Sequence, residues 1–156
     1  HGKAGFFEAL LSLPTFHKKE QALETQSLAH LDSLGLGGFA DTDAAALPYG
    51  LQRKLEIARA LATNPTILML DEPAAGMNEG ETAELTQFIR SIRDRFNLTI
   101  VVVEHDMSLI MPLSDRIQVL NYGRIIAEGT PAQIRSNPKV IEAYLGGDES
   151  DTGATA

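Results

Sequence analysis

Two short runs of apolar residues, at positions 67–70 and 100–103, occupy the middle of the chain, and the second predicted strand begins at Thr99. Runs of this length, bounded by polar turns and lacking polar alternation, are typical of strands buried on both faces of a sheet. Positions 79–96, which lie between them, repeat apolar residues at helical spacing. The strand–helix–strand order therefore predicts a parallel sheet that helices cover on both faces.

Helical spacing also marks two segments that precede the first strand. The first, at 18–34, ends at Gly35 and carries the apolar residues Ala22, Leu23, Leu28, Leu31 and Leu34. The second, at 50–62, ends before Asn64-Pro65. Earlier still, an apolar patch is broken by Pro14, which predicts a helical turn or two followed by a loop.

The C-terminal third predicts smaller elements. They are a helix at 107–113, hairpin strands at 116–120 and 124–128, and helices at 131–135 and 138–145. The hairpin turn is Asn121-Tyr122-Gly123, with glycine at the turn. The tail at 146–156 is small and polar, so we expect it to be disordered. The organisation is α/β, with fewer parallel strands than a doubly wound domain normally has.

Composition narrows the function classes. With 13 basic and 21 acidic residues the net charge is −8, which argues against a nucleic-acid surface built from clustered cations. Nucleotide binding stays open, because backbone amides and a metal ion can neutralise phosphates. The sequence has no cysteine, which excludes disulfides and thiolate metal sites. No apolar stretch is long enough to cross a bilayer and no signal peptide opens the chain, so we expect a soluble, cytoplasmic protein.

Two carboxylates follow the first predicted strand directly, at Asp71 and Glu72. Ligands of open α/β folds bind at the carboxyl edge of the sheet, where these side chains would lie. In phosphoryl transfer Asp71 would hold Mg²⁺, and Glu72 would orient or deprotonate the attacking water. A plain polar turn after a buried strand has the same sequence, so the pattern alone leaves both interpretations open.

A loop of small residues leads directly into the predicted helix at 50–62. Free amides and the positive end of the helix dipole favour an anion at such a point. Gly50 would let the backbone come close to a ligand. Pro48 and Gly50 would equally serve only to begin the helix.

The second predicted strand is followed by His105 and Asp106. His105 would lie on the same sheet edge as Glu72, where an imidazole can bind a γ-phosphate and respond to its loss. A single histidine is more often structural, and Asp106 fits the N-cap of the following helix. Asn78 also fits an N-cap, with an acid three residues later that completes a capping box.

The order and spacing of these segments resemble the ATP-binding cassette (ABC) family over residues 5–147. Positions 47–52 fall where that family has its signature loop, and positions 67–72 match its Walker B strand. Positions 73–78 match its D-loop, and His105 its switch histidine. The resemblance implies a partial P-loop NTPase domain of α/β class, with parallel strands and flanking helices, part of the helical subdomain, and a C-terminal hairpin and helices.

The resemblance also implies a division of the chain and a subfamily. Residues 1–62 would be the helical-subdomain portion ending in the signature helix, 63–147 the C-terminal part of the ATPase core with its extension, and 148–156 a disordered tail. Leu-Pro-Tyr-Gly at 47–50 and the ending at 129–146 look like ATPase subunits of branched-chain amino-acid importers. Urea-type importers and the lipopolysaccharide-export ATPase share that ending, and a non-catalytic interaction fragment is the remaining alternative.

The family pattern assigns roles to particular residues. They are Glu72 and His105 as catalytic residues, Asp71 as the metal ligand, and Gly50, Tyr49, Gln52 and Asn78 as contacts to ATP. These last four belong to the signature loop and D-loop, which act on the nucleotide of a second ATPase subunit paired head to tail. ATP and Mg²⁺ are the implied cofactors.

The implied partners, beside that second subunit, are transmembrane permease subunits and, indirectly, a periplasmic or extracellular substrate-binding protein. Nucleic acid is not expected. The implied location is cytoplasmic and peripheral, on the inner face of the cell membrane.

Several departures from the family pattern affect the expected activity. The sequence contains no G-x-x-x-x-G-K-[ST] loop, and the family's glutamine loop precedes this region. Pro48 replaces the signature serine, Tyr49 a glycine, and Asn78 the D-loop aspartate. A chain that begins at His1 is expected to start inside a longer protein. We therefore predict negligible ATP affinity and no detectable hydrolysis by this chain alone.

Overall fold

A computed structural model describes the backbone of residues 14–145 and the side chains of residues 17–144. The helices are α1 (Pro14–Ser33), α2 (Tyr49–Leu61), α3 (Glu79–Phe96), α4 (Met107–Leu113), α5 (Pro131–Arg135) and α6 (Pro138–Leu145). The strands are β1 (Ile67–Asp71), β2 (Thr99–Val103), β3 (Ile117–Asn121) and β4 (Arg124–Gly129). The predictions for the apolar patch at 6–13 and the tail at 146–156 lie outside the described residues.

The elements predicted from periodicity are present, with one difference at the start of α1. The chain is helical from Pro14 onward, where the sequence predicted a loop up to Lys18. Proline is compatible with helix at this point because its fixed φ is already helical and its steric restriction falls on the preceding residue. At the other end, Gly35 adopts a φ of +74°, which ends α1 as predicted.

The chain divides into two compact units, His1–Leu68 and Met69–Ala156. In the first unit, the His30 Nε2 atom lies 2.8 Å from the Ala58 carbonyl oxygen and so joins α1 to α2. Burial concentrates around this contact and the loop after α1, at Leu34, Leu36, Leu47, Ile57, Ala58 and Leu61. Leu23 and Leu28, which helical spacing placed on a buried face of α1, are exposed. The amphipathic prediction therefore holds only at the C-terminal end of α1.

The core of the second unit forms around α3. Leu85, Ile89 and Ile92 recur at helical spacing along α3 and are almost completely buried. On α4, which packs against α3, Leu109 and Ile110 are buried. In the chain, α3 follows β1 and α4 follows β2. The predicted site lies at the ends of those two strands.

Strands β1 and β2 are neighbours in a parallel pair. Successive residues of a strand face opposite sides of the sheet, and the two sides differ here. Leu70 and Val102 are partly buried, whereas Met69, Val101 and Val103 on the other side are exposed. The prediction that both faces are covered is therefore wrong for the described residues, because no described element packs over this second face.

Strands β3 and β4 form the predicted antiparallel hairpin, with a bulge between Val119 and Leu120. Tyr122 and Gly123 connect them and have φ values of +46° and +74°, the signs that a two-residue type I′ turn requires. Behind the hairpin, α5 and α6 complete a small core made of Val119, Ala127, Ile134 and Val140. None of the helices within residues 14–145 has the length and apolar character needed to cross a bilayer.

Candidate functional site

The two predicted carboxylates lie at the carboxyl end of β1. Asp71 is the last residue of the strand, and Glu72 follows it with a φ of +43°, in the left-handed region that L-residues rarely adopt. The Glu72 amide donates a 2.8 Å hydrogen bond to the Val103 carbonyl at the end of β2. Both carboxylates are exposed, so solvent and small solutes can reach them.

His105 lies beside Glu72, as the shared sheet edge predicts. Its Nδ1 atom is 3.7 Å from Glu72 Oε1 and 3.5 Å from Glu104 Oε2. The side chains of His105 and Glu72 are 73% and 56% exposed, so the interaction between them contributes little to stability. The geometry nevertheless places an imidazole and a carboxylate side by side at the ends of two neighbouring strands.

Glu104 is a residue of this site to which the sequence interpretation gave no role. Its side chain is only 1% exposed, and its two oxygens accept hydrogen bonds from two backbone amides. The Ala74 amide donates to Oε1 at 3.0 Å and the His105 amide to Oε2 at 2.9 Å. In the structure, position 104 continues the face of β2 that carries Val102, the less exposed face. The sequence contains no signal for this, because the apolar run of β2 has no alternation that would distinguish its two faces.

Asn78 begins α3 as the predicted N-cap. Its Oδ1 accepts from the Glu81 amide at 3.0 Å, and the Glu81 carboxylate accepts from the Asn78 amide at 3.0 Å. These two bonds form the predicted capping box. The Asn78 Oδ1 atom therefore has a structural partner within the chain, whatever else its side chain contacts.

Asp106 caps α4, also as predicted. Its Oδ1 accepts a 2.7 Å hydrogen bond from the Ser108 amide. Hydrogen bonds from the Ser108 side chain and backbone hold the pKa of Asp106 below its ordinary value, because they stabilise the ionised form. Asp106 thus fixes the start of the helix that follows His105.

The residues of the predicted signature loop lie at the start of α2, in the first unit. Tyr49 is the first residue of that helix, and the Arg53 guanidinium lies 5.1 Å from the centre of its ring. Arg53 also donates hydrogen bonds of 2.6 and 3.1 Å to the Tyr49 hydroxyl and one of 2.7 Å to Glu56. The hydrogen bond to Glu56, followed by that to Tyr49, raises the pKa of Arg53 above its usual range.

The other two signature residues differ in how they are held. Gln52 folds back on the loop, where its Nε2 donates a 2.8 Å hydrogen bond to the Leu47 carbonyl. A Cβ atom at Gly50 would meet no atom of the described residues within 4 Å. Packing among those residues therefore does not require glycine at position 50.

Asp71 is the residue that the sequence assigns to magnesium. Within residues 14–145 no group of three or more His, Asp or Glu side chains is arranged to hold a metal ion. Mg²⁺ commonly uses one or two protein carboxylates and completes its shell with water and phosphate oxygens. The exposed carboxylates of Asp71 and Glu72 at one strand end fit that kind of site.

Two family models match the chain. Residues 4–75 match the model described as ABC transporter. Residues 124–150 match the model described as branched-chain amino acid ATP-binding cassette transporter. The first match covers α1, α2 and β1, and the second covers β4, α5 and α6.

Curated relatives agree with these matches. The chain is 50% identical over 144 residues to the high-affinity branched-chain amino acid transport ATP-binding protein LivG of Escherichia coli, covering 92% of this chain and 56% of that protein. It is 47% identical over 146 residues to the corresponding protein BraF of Pseudomonas aeruginosa, covering 94% and 57%. The chain thus spans little more than half the length of these relatives.

Solved structures give the same fold. A nucleotide-free ATP-binding cassette from an ABC transporter superposes with a TM-score of 0.72 at 29% identity, covering 88% of this chain and 55% of that one. An ATP-binding cassette in its ADP conformation gives 0.70 at 31% identity, covering 77% and 48%. The α/β class and the partial extent of the domain, both predicted from the sequence, are confirmed.

Proposed function

Because this chain belongs to the ATP-binding cassette family, we propose that it is the part of a branched-chain amino-acid importer ATPase that carries the hydrolytic carboxylate and the switch histidine. The observation that carries the proposal is the pairing of Glu72 with His105 at the ends of β1 and β2. A general base must lie within reach of the water whose proton it takes, and the exposed Glu72 carboxylate meets that requirement. The 3.7 Å separation puts the exposed His105 imidazole beside it, where it would contact the reacting phosphate.

Three side chains would take part in ATP hydrolysis. Asp71 would contribute a carboxylate to Mg²⁺, Glu72 would orient or deprotonate the attacking water, and His105 would donate a hydrogen bond towards the γ-phosphate. Bound MgATP would supply the phosphoryl group and the charge that the metal neutralises. The chain's own contribution is to hold an acceptor and a donor at fixed positions on one strand edge.

A second set of residues would act on the nucleotide of another subunit. In the proposed head-to-tail pair, Tyr49, Gly50 and Gln52 of the signature loop and Asn78 of the D-loop face the partner's ATP. Residues 1–62 would form the helical-subdomain portion and residues 63–147 the end of the ATPase core with its extension; the prediction for residues 148–156 lies outside the described residues. The assembly would include permease subunits and, indirectly, a substrate-binding protein, with the ATPase peripheral on the cytoplasmic face of the membrane.

The proposal includes inactivity of this chain by itself. The printed sequence has no G-x-x-x-x-G-K-[ST] loop, so nothing in it cradles the β- and γ-phosphates by that motif. We expect isothermal calorimetry to detect no saturable MgATP binding to the chain, and a phosphate-release assay to detect no turnover. Saturable binding would show that other residues hold the phosphates.

The decisive experiment compares the chain with the same protein extended upstream to the length of its relatives. The extended protein should hydrolyse ATP, and Glu72→Gln should lower kcat by about 10²–10³-fold because the carboxylate is lost while the side-chain shape is kept. Glu142→Gln, an exposed position on α6, is the matched control and should leave kcat unchanged. Full activity of the Glu72→Gln protein would refute the assignment of Glu72.

A further inference from the structure

Glu104 joins the two loops that carry the candidate catalytic residues. We propose that Glu104 is a positioning residue, whose buried carboxylate fixes the backbone of the loop after Glu72 and the backbone of His105 in one geometry. This inference rests on the proposed function, because it assigns Glu104 a part in the same hydrolytic site.

The geometry is a bridge between two strand ends. Beyond the last residues of β1 and β2, the Glu72 amide still bonds to the Val103 carbonyl at 2.8 Å. Ala74 lies two residues after Glu72, and its amide donates to the Glu104 carboxylate at 3.0 Å. The same carboxylate accepts from the His105 amide at 2.9 Å. The side chain thus continues the connection between the strands where backbone pairing stops.

Because the Glu104 carboxylate is buried, it needs both of its amide donors. A buried ionised group is costly unless hydrogen bonds satisfy it, and both oxygens of Glu104 accept from an amide. Hydrogen bonds from backbone N–H groups to a carboxylate are shorter and stronger than those between neutral groups. Moving either amide away would leave a buried oxygen without that partner, so the two loops are held in register.

Accessibility separates Glu104 from the catalytic carboxylate. Glu104 is 1% exposed and Glu72 is 56% exposed, so only Glu72 can meet water or substrate. Any effect of Glu104 on turnover must therefore pass through the positions of His105 and of the loop at Ala74. A displacement of about 1 Å in a catalytic group can cost on the order of 10²-fold in rate.

Replacement by glutamine tests the two-amide bridge directly. Glutamine has the same shape, but its amide offers one acceptor oxygen and one donor NH₂. One of the two backbone amides would then face another donor instead of an acceptor. Glu104→Gln should therefore release either the Ala74 or the His105 amide while leaving the packing volume unchanged.

The first measurement is amide hydrogen exchange followed by NMR, made on the extended protein. In Glu104→Gln, exchange at Ala74 or His105 should accelerate by at least about tenfold relative to the unchanged protein. Exchange in the α3 core should stay the same, and Glu142→Gln should change neither amide. Unchanged protection of both amides would overturn the proposal, and this readout does not depend on ATPase activity.

The second measurement is a double-mutant cycle on ATP hydrolysis. We expect Glu104→Gln to lower kcat by about tenfold while KM for ATP changes by less than about threefold, because positioning acts on the chemical step. In a His105→Ala background, Glu104→Gln should lower kcat by clearly less than the tenfold seen with His105 present, since one of the two routes through which it acts is gone. Losses that multiply in full would refute the route through His105.

Two further outcomes are assigned in advance. If Glu104→Gln does not fold, Glu104→Asp replaces it, because aspartate keeps the charge but is one methylene too short to reach both amides. Exchange rates at Ala74 and His105 that both equal those of the unchanged protein would refute the bridge. If the unchanged extended protein hydrolyses no ATP, the proposed function fails. The exchange data still decide whether Glu104 holds the two loops together.

Discussion

Glu72 combines the candidate catalytic carboxylate with an unfavourable backbone conformation. Its φ of +43° is one that glycine adopts freely and other L-residues adopt at a cost. We predict that Glu72→Gly is more stable than Glu72→Ala, although both variants lack the carboxylate. Comparing these two variants cancels the loss of the exposed interaction with His105, which is absent from both.

The magnitude follows from two opposing terms. The left-handed conformation costs an L-residue about 1–2 kcal/mol, and glycine loses about 0.5–1 kcal/mol more conformational entropy on folding. The difference leaves about 0.5–1 kcal/mol in favour of Glu72→Gly. For a chain of this size that corresponds to a rise in Tm of about 1–4 °C relative to Glu72→Ala.

Urea unfolding of the two variants measures this difference, provided that the slope m is the same for both. Tyr122 supplies a matched control away from the site, since its φ is +46° and its side chain is 99% exposed. Tyr122→Gly should exceed Tyr122→Ala in stability by a similar amount. Equal stabilities for the Glu72 pair, alongside a difference for the Tyr122 pair, would show that the backbone at Glu72 is not strained in solution.

Three further predictions concern packing, capping and pH. Ile89→Ala, at a fully buried position of α3, should lower the unfolding free energy by about 2–5 kcal/mol in urea titration, whereas Ile125→Ala, at an exposed position of β4, should cost well under half as much. Asn78→Ala should cost about 1 kcal/mol through loss of the capping box, and Asn78→Asp, which keeps an acceptor, should restore most of it. The folded-state pKa of Asp106 lies below its ordinary value of 3.8. The contribution of Asp106 to stability is therefore complete above that pH and is lost as the pH falls towards the lower folded value. Asp106→Asn should remove that part of the acid-induced loss of stability, measured by thermal unfolding between pH 5 and about pH 2.

Local sequence rules predicted most element boundaries. The end of α1 at Gly35, the capping box at Asn78 and the turn at Tyr122-Gly123 each depend on residues within a few positions of one another. Their physical causes are a permissive φ, a satisfied amide and a turn geometry, which do not require distant contacts. Periodicity and caps therefore sufficed for them.

Burial was less predictable, because it depends on what packs against a face. Leu23 and Leu28 have the spacing of a buried helical stripe but are exposed, and Met69 is 74% exposed on a strand whose composition predicts burial on both faces. Composition records that a face is apolar. It does not identify the element that covers the face, and no described element covers these.

The candidate site shows the same division between local and distant information. The order of strands placed Glu72 and His105 on one edge, since parallel strands end on the same side of a sheet. The role of Glu104 as an acceptor for Ala74, 30 positions away in the chain, has no counterpart in any local motif. The apolar run of β2 does not alternate with polar residues, so it could not indicate which face position 104 continues.

The two groups of candidate residues are each held by bonds within their own unit. Glu72 and His105 are fixed through Val103 and Glu104, and at the start of α2 Gln52 is fixed through the Leu47 carbonyl. Backbone that is already held loses little freedom when a ligand arrives, which favours both binding and turnover. We therefore expect a phosphate-binding loop supplied upstream to add contacts to the nucleotide without having to reorganise either group.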